Sequence, residues 1–444
     1  MSQALSTIFD AFRPGRLALG ILAMLIVMVP ARADIGAWLI LDAETGRVLD
    51  KKNAFRKWYP ASLTKMMTAY VVFSAIRSGQ ATPDSIVIMS KSAAAEPPSK
   101  MGFPIGTEMT VGNALKMLLV KSANDVAVAL GQSIGGSKED FVRRMNSEAE
   151  RLGMSDTFFT NPHGLPDNAQ VTSARDMAIL ARALWRDFPQ YREYYAMTGV
   201  QFGKRILKSA NREYLLRVEG AAGIKTGYIC NSGYNVAAVA QRGGRTLIAI
   251  ILGAGSGTER AAFASKAINA GFRKGRFSPE FGASIETMQS PSGNLAPPAD
   301  GYCRRNKLST AQLYSIYAKP DASKADFASL SLAYAQPEKG SGAVEVVKLP
   351  KKKGSRKTDW AKVMDVIVGP RQGDNRILKV AIGIPPGAQF PVASQGKTYE
   401  ELTGVYIPVP GDKPEGPLAR MPTIDDLPKG ALSRSLLPHA KPSS

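Results

Sequence analysis

Strand-like runs lie at both ends of a helical region in this chain, and this arrangement constrains the fold more than any other sequence feature. Residues 36–42 and 46–49 flank Ala43-Glu44-Thr45, which predicts a β-hairpin. Residues 234–241 and 246–252 are β-rich runs joined by a Gly-Gly turn, which predicts a second hairpin. Strands at both ends predict an α/β (α+β) fold with one antiparallel sheet flanked by helices. The apolar periodicity predicts helices over residues 62–79, 110–120, 125–134, 139–152, 174–185 and 258–272.

The first 33 residues have the pattern of a secretory signal peptide. Arg13 and Arg16 precede an uncharged apolar stretch at 17–29, and Ala31-Arg32-Ala33 has the small-residue spacing of a cleavage site. The apolar run is shorter than the ~20 residues that a membrane-spanning helix needs. We therefore expect cleavage after Ala33 and an exported, periplasmic protein.

The composition changes after residue 280, where most of the 29 prolines lie. Proline removes a backbone donor and interrupts helices and central strands, so this extension is expected to be partly disordered. Residues 363–368 and 377–384 alternate in hydrophobicity, which predicts two strands. Prolines near the C-terminus argue against an amphipathic membrane anchor, so we expect at most weak membrane association. The predicted segments are a catalytic domain at 34–276, a proline-rich linker at 277–357, a small β module at 358–409 and a disordered tail at 410–444.

The net charge of the chain bears on its possible binding partners. A net charge of +20 raises the question of nucleic acid. An exported protein meets little nucleic acid, so we expect no such partner; the basic surface serves either association with anionic wall polymers or solubility.

Cys230 and Cys303 are the only cysteines. Oxidising surroundings permit them to pair, but two buried or free thiols fit the sequence equally well.

Histidine and metal chemistry have little support in the sequence. Of the two histidines, His439 lies in the proline-rich tail and His163 lies in a turn-like stretch, where we interpret it as structural. No H-E-x-x-H motif or similar ligand spacing exists, so we predict neither a metal nor a cofactor.

A serine and a lysine are well placed for nucleophilic catalysis. Ser62-Leu63-Thr64-Lys65 is an S-x-x-K motif at the start of a predicted helix. Residues three apart share a helix face, so the Lys65 amine can reach the Ser62 hydroxyl. Lysine acts as a base only when burial or a second cation lowers its pKa below about 10.4. The motif therefore predicts a lysine-activated serine.

Two further triplets supply the other groups that such a site needs. Ser122 and Asn124, in a Lys-Ser-Ala-Asn stretch, offer a hydroxyl for proton relay and an amide for peptide recognition. Lys225 and Thr226 offer a cation and a hydroxyl that suit a carboxylate, and Gly227 leaves space beside the strand for a substrate backbone. Lys225 would also be the cation that lowers the pKa of Lys65.

These three motifs, in this order, are those of penicillin-binding proteins and class A β-lactamases. The chain resembles most the low-molecular-mass D-alanyl-D-alanine carboxypeptidases, the S11 serine peptidases. The resemblance implies a penicillin-binding/serine β-lactamase-like transpeptidase fold. It rests on the three motifs and on YPASLTKMMTAY (59–70), FFTNPHGL (158–165), IKTGY (224–228) and SGYN (232–235).

The resemblance also implies a role for each residue of the reaction. Ser62 attacks the carbonyl of the penultimate D-alanine and gives its proton to Lys65. The backbone N–H groups of Ser62 and Tyr228 form the oxyanion hole. Ser122 passes a proton to the leaving D-alanine, and Asn124 holds the substrate amide.

Substrate and inhibitor follow from the same resemblance. Lys225 and Thr226 bind the terminal carboxylate, with Arg212 as a further candidate, and Gly227 belongs to the same substrate-binding set. The implied substrate is the peptidoglycan stem peptide, and β-lactams are the implied covalent inhibitors.

Three alternatives share this fold. A class A β-lactamase needs a deacylating glutamate in an E-x-x-L-N stretch, which the relevant region lacks. A D,D-endopeptidase, which cuts cross-links, uses the same residues and stays open. A wall-binding protein with an inactive site is disfavoured because no motif residue is missing.

Overall fold

The computed structural model describes residues 35–274, 282–290, 296–305, 307–318, 349–355 and 357–406. The predicted signal peptide at 1–33 and the tail at 410–444 lie outside the described residues, as does much of the predicted linker. None of the helices in the described ranges is long and apolar enough to cross a bilayer.

A five-stranded antiparallel sheet joins the two ends of the catalytic region, which confirms the predicted architecture. Its order is β2-β1-β9-β8-β7, so the N-terminal hairpin pairs with the strands near residue 250. Smaller sheets have the orders β3-β4 and β10-β5-β6. The strands are β1 (Ala37–Asp42), β2 (Val48–Lys52), β3 (Ile86–Ile88), β4 (Glu108–Thr110), β5 (Gly199–Phe202), β6 (Arg205–Lys208), β7 (Lys225–Ile229), β8 (Gly233–Arg242), β9 (Arg245–Ala254) and β10 (Ile377–Val380).

Helices cover both faces of the sheet, and the six predicted helices are present. Two of them begin at side-chain caps, since Thr110 and Ser173 accept hydrogen bonds from main-chain N–H groups three residues on. The α-helices are α1 (Thr64–Arg77), α2 (Lys91–Ala95), α3 (Val111–Lys116), α4 (Asn124–Gly135), α5 (Lys138–Arg151), α6 (Ala174–Asp187), α7 (Arg192–Tyr195), α8 (Arg212–Arg217), α9 (Gly257–Arg273), α10 (Tyr302–Arg305), α11 (Thr310–Tyr317), α12 (Trp360–Ile367) and α13 (Tyr399–Thr403). Short 3-10 turns span Ala61–Leu63, Pro189–Tyr191 and Val392–Ser394, and a π-helical turn spans Met117–Lys121.

The central strands separate two hydrophobic cores because successive side chains of a strand point to opposite faces. In β9, Ile248 and Ile250 face the core that contains α1, α4 and α6, whereas Leu247 and Ile251 face the core that contains α9, α11 and α12. A strand buried on both faces is expected to carry a continuous apolar run, and β9 is apolar from Leu247 to its end at Ala254.

The strands predicted at 363–368 and 377–384 differ from the structure in two respects. Residues 363–368, predicted as a strand, lie mainly in helix α12, because Val363 and Ile367 are one helical turn apart and both are fully buried. Residues 377–384 contain a strand only at β10, and β10 pairs in parallel with β5 of the catalytic region. The described part of this segment therefore packs on the catalytic region and extends one of its sheets.

Candidate active site

Ser62 lies in the 3-10 turn Ala61–Leu63, immediately before helix α1. Ala61 has a φ of +48°, a conformation that residues other than glycine seldom adopt and that occurs most often at functional sites. Gly164 packs directly against this turn, and a Cβ there would overlap the Ala61 carbonyl. The loop around Gly164 therefore fixes the position of the turn that carries Ser62.

Lys65 is fully buried one turn after Ser62, and its amine has three partners. The Nζ atom lies 2.7 Å from Asn124 Oδ1, 2.6 Å from the main-chain oxygen of His163 and 3.0 Å from Ser62 Oγ. The amide and main-chain oxygens can only accept hydrogen bonds, so they take both hydrogens of a neutral amine. The lone pair of that amine then faces the Ser62 hydroxyl, which can donate. The geometry thus suits Lys65 as the acceptor of the Ser62 proton.

The electrostatic surroundings favour the neutral form of Lys65. Burial is the main cause that lowers the pKa of Lys65 well below its ordinary value, and the charge of Lys225 is the second cause. Two nearby carboxylates act in the opposite direction and are the smaller causes. Burial, with help from the cations Arg260 and Lys121, also lowers the pKa of Lys225 to about 7.

The second motif lies where the π-helical turn ends and helix α4 begins. Ser122 has a left-handed φ of +67°, and it lines the same small pocket as Lys225. Asn124 is only 3% exposed; its Nδ2 donates to a main-chain oxygen at 2.8 Å while its Oδ1 accepts from Lys65. The structure therefore gives Asn124 a lysine-positioning contact that the sequence did not predict, and its role toward a substrate amide stays a prediction.

The third motif begins strand β7, which lies at the edge of the main sheet and pairs with β8 on one side only among the described strands. An added Cβ on Gly227 would lie 2.9 Å from the Pro60 oxygen and 3.0 Å from the Ser62 main-chain nitrogen. The strand therefore runs in contact with the turn that carries the nucleophile. Its free edge offers main-chain groups to an extended peptide.

Ser122, Lys225 and Thr226 line a pocket of about 20 Å³ together with Tyr195 and Asn211. A space of this size holds about one water molecule. The second and third motifs thus meet at one polar pocket, and the first motif joins them through the contact between Lys65 and Asn124.

Arg212 does not join this site, and its assignment to the terminal carboxylate needs correction. Its guanidinium donates to Glu213 at 2.8 Å and to Asn375 at 3.2 Å, and Arg212 does not line the small pocket. Arg260, in the first turn of α9, is buried and close enough to Lys225 to lower its pKa. Burial in turn lowers the pKa of Arg260 to about 10. No local sequence pattern marks this arginine, because it lies on a helix behind the sheet.

His163 is a structural residue, in agreement with the sequence interpretation. Burial lowers the pKa of His163 to about 3, so the ring is neutral. Its Nδ1 accepts from the Leu165 N–H at 3.1 Å, which leaves the Nε2 hydrogen facing the Glu96 carboxylate at 3.3 Å. Because the ring is neutral, this contact is not an ion pair. The residue reaches Lys65 through its main-chain oxygen.

Cys230 and Cys303 form a disulfide just beyond the end of β7. The Cys303 N–H donates to the Cys230 oxygen at 2.9 Å, and the Tyr302 hydroxyl donates to the Gly253 oxygen at 2.9 Å. The segment that contains Cys303 is thereby fixed against the β7–β8 turn. In the described part of the chain, no group of three or more His, Cys, Asp or Glu side chains could hold a metal ion.

The fold and the converging motifs define a serine acyl-transferase site, and comparison with known proteins agrees. Residues 26–256 match the Peptidase S11 model, described as D-alanyl-D-alanine carboxypeptidase. The chain belongs to this family.

Individual relatives align with the same region. D-alanyl-D-alanine carboxypeptidase DacD of Escherichia coli is 36% identical over 250 residues, which are 54% of this chain and 64% of the relative. The match thus spans less than two thirds of that protein. Penicillin binding protein 5 from Haemophilus influenzae superposes with a TM-score of 0.52 at 32% sequence identity. The match covers 55% of this chain and 73% of that protein. Penicillin binding protein 6B from Escherichia coli superposes with a TM-score of 0.50 at 35% sequence identity, and that match covers 53% of this chain and 76% of that protein.

Proposed function

We propose that this protein is a serine D-alanyl-D-alanine carboxypeptidase that removes the terminal D-alanine of peptidoglycan pentapeptides. The observation that carries the proposal is the Lys65 amine, whose two hydrogens are taken by Asn124 and His163 so that its lone pair faces Ser62 Oγ at 3.0 Å. Membership of the family supports the substrate class.

Acylation uses the buried lysine as a general base. Ser62 Oγ attacks the carbonyl of the penultimate D-alanine while its proton moves to Lys65 Nζ. The carbonyl oxygen becomes an oxyanion held by the N–H groups of Ser62 and Tyr228, each worth about 3 kcal/mol in such sites. The close approach of Gly227 to the Ser62 nitrogen supports this hole, because it brings the start of β7 next to the turn.

The tetrahedral intermediate then collapses and the C–N bond breaks. The nitrogen of the leaving D-alanine takes the proton that Lys65 holds, relayed by Ser122, and Lys65 becomes neutral again. Asn124 is proposed to hold the substrate amide as well as Lys65. Water then attacks the acyl ester, which gives the shortened peptide and free Ser62.

A terminal carboxylate is bound by the cations behind the strand. Lys225, Thr226 and Arg260 provide two positive charges and a hydroxyl within one buried region, and charge-assisted hydrogen bonds to a carboxylate are stronger than neutral ones. Arg260 replaces Arg212 in this role.

The cellular setting is part of the proposal. We propose an exported, periplasmic enzyme with a signal peptide at 1–33, at most weak membrane association, stem peptides as substrate and β-lactams as covalent inhibitors. The predicted linker at 277–357 contains helices α10 and α11, and the predicted tail at 410–444 lies outside the described residues.

The test uses the purified mature chain and its Ser62→Ala variant. Wild-type protein should release D-alanine from a pentapeptide muropeptide and become labelled by a fluorescent penicillin, and the variant should do neither. D-Alanine release by Ser62→Ala would contradict the mechanism. Rapid turnover of nitrocefin would instead favour a β-lactamase, and absence of labelling in the wild type would favour an inactive wall-binding protein.

A further inference from the structure

A second groove opens beside the small pocket of the active site. It has a volume of about 320 Å³ and shares Ala210 and Asn211 with that pocket. The N-terminal turn of α9 forms one side of the groove, and Met364 of α12 forms part of the other. Both helices follow the family-matched region at 26–256, and they supply half of the residues that line this groove.

The end of the groove nearest the active site is polar and positively charged. Arg260 is 7% exposed there and donates to the Ala210 oxygen at 2.7 Å. Asn211 is 6% exposed, and its Nδ2 has no hydrogen-bond partner in the part of the chain that the structure describes. A buried donor without a partner is costly, and a guanidinium beside such a donor suits a carboxylate.

The rest of the groove is mainly apolar. Tyr214, Tyr234 and Met364 supply aromatic and thioether surface, which suits an unbranched methylene chain. Glu213 also lines the groove, but its carboxylate is paired with two arginines at 2.8 Å each. The space is far larger than the methyl side chain of alanine requires.

We propose that this groove accepts the side chain of the leaving residue, so that the enzyme releases D-residues with long unbranched side chains as well as D-alanine. The chemistry is unchanged: the same C–N bond breaks, and the departing amine takes the proton from Lys65. This inference rests on the proposed function.

The primary test compares two peptides with the mature wild-type protein, diacetyl-L-lysyl-D-alanyl-D-alanine and diacetyl-L-lysyl-D-alanyl-D-norleucine. We expect kcat/KM for D-norleucine release to lie within about tenfold of the value for D-alanine, because the longer chain meets apolar walls and no clash. A D-norleucine value lower by more than about a hundredfold, beside normal D-alanine release, would overturn the inference. Failure of both reactions, without labelling of Ser62 by penicillin, would contradict the proposed function as well.

Two variants test the location of the subsite from opposite sides. Thr258→Trp, in the first turn of α9, and Met364→Trp, on α12, each place an indole in the groove. Each should lower the ratio of D-norleucine to D-alanine release by about tenfold or more. Thr310→Trp is the matched control, since Thr310 lies in the first turn of α11 and lines neither space. If both variants fold and their ratio of D-norleucine to D-alanine release equals that of the control, the groove is not where the side chain of the leaving residue binds.

Discussion

Gly227 offers the sharpest test of the active-site geometry. A Cβ at this position would lie 2.9 Å from the Pro60 oxygen, 3.0 Å from the Ser62 nitrogen and 3.2 Å from the Ala61 Cβ, whereas ordinary contact begins at about 3.4 Å. These atoms are main chain or Cβ, so no flexible side chain can move aside. In Gly227→Ala, strand β7 and the turn that carries Ser62 must therefore separate by about half an ångström.

The expected loss follows from the proposed oxyanion hole. Its donors act at 2.7–3.1 Å from the oxyanion, and removal of one donor typically costs about 100- to 1,000-fold in rate. A displacement of half an ångström weakens both donors without removing either. We therefore expect the acylation rate constant of Gly227→Ala to fall by about 10- to 100-fold.

Stopped-flow acylation by a fluorescent penicillin measures this rate constant directly, and thermal unfolding monitors the fold. Gly373→Ala is the matched control, because the same added methyl group would meet its nearest neighbours at 3.8 Å or more. Acylation by Gly227→Ala within about threefold of the control, with the fold intact, would refute the claim that this contact sets the position of the hole.

Three further changes address the lysines and the disulfide. Lys225→Met removes the second cause of the lowered Lys65 pKa, so the pKa of Lys65 should rise. The pH below which the acylation rate falls should therefore move upward. An unchanged acid limb in the pH–rate profile would contradict this coupling. In the wild type, D-alanine release should also decline as pH rises through about 7, because Lys225 then loses its charge. Asn124→Ala removes one of the two oxygens that orient the Lys65 amine. Acylation should slow by about 10- to 100-fold, whereas the stoichiometry of Ser62 labelling should not change. A normal acylation rate would show that Asn124 does not position Lys65. Replacing Cys230 and Cys303 by serine opens a link across 73 residues and should lower the free energy of unfolding by up to about 4 kcal/mol in urea titrations, and an unchanged midpoint would exclude that contribution.

Local features of the site could be predicted from the sequence because their geometry depends on spacing. Ser62 and Lys65 are three residues apart at the start of a helix, so their contact needs no knowledge of the rest of the chain. The two hairpins are local in the same sense. The S-x-x-K contact is accordingly present at 3.0 Å.

Non-local contacts were missed because they leave no pattern along the chain. The His163 main-chain oxygen that orients Lys65 has no side-chain signature. Arg260 approaches Lys225 from a helix behind the sheet, and its neighbours in sequence do not distinguish it from Arg212. Residues 363–368 fit a strand and a helix equally well by periodicity, and only burial of Val363 against the second core decides between them.

The two buried lysines imply that the substrate's own carboxylate takes part in its activation. In the free protein, the charge of Lys225 helps to keep Lys65 neutral. A carboxylate bound beside Lys225 and Arg260 offsets that charge, so the proton affinity of Lys65 should rise at the moment when it must take the Ser62 proton. A peptide whose terminal carboxylate is converted to an amide should therefore lose kcat as well as affinity, by about tenfold or more in acylation measured at saturating peptide. If only KM changed, the carboxylate would serve binding alone, and the coupling between the two lysines would not contribute to catalysis.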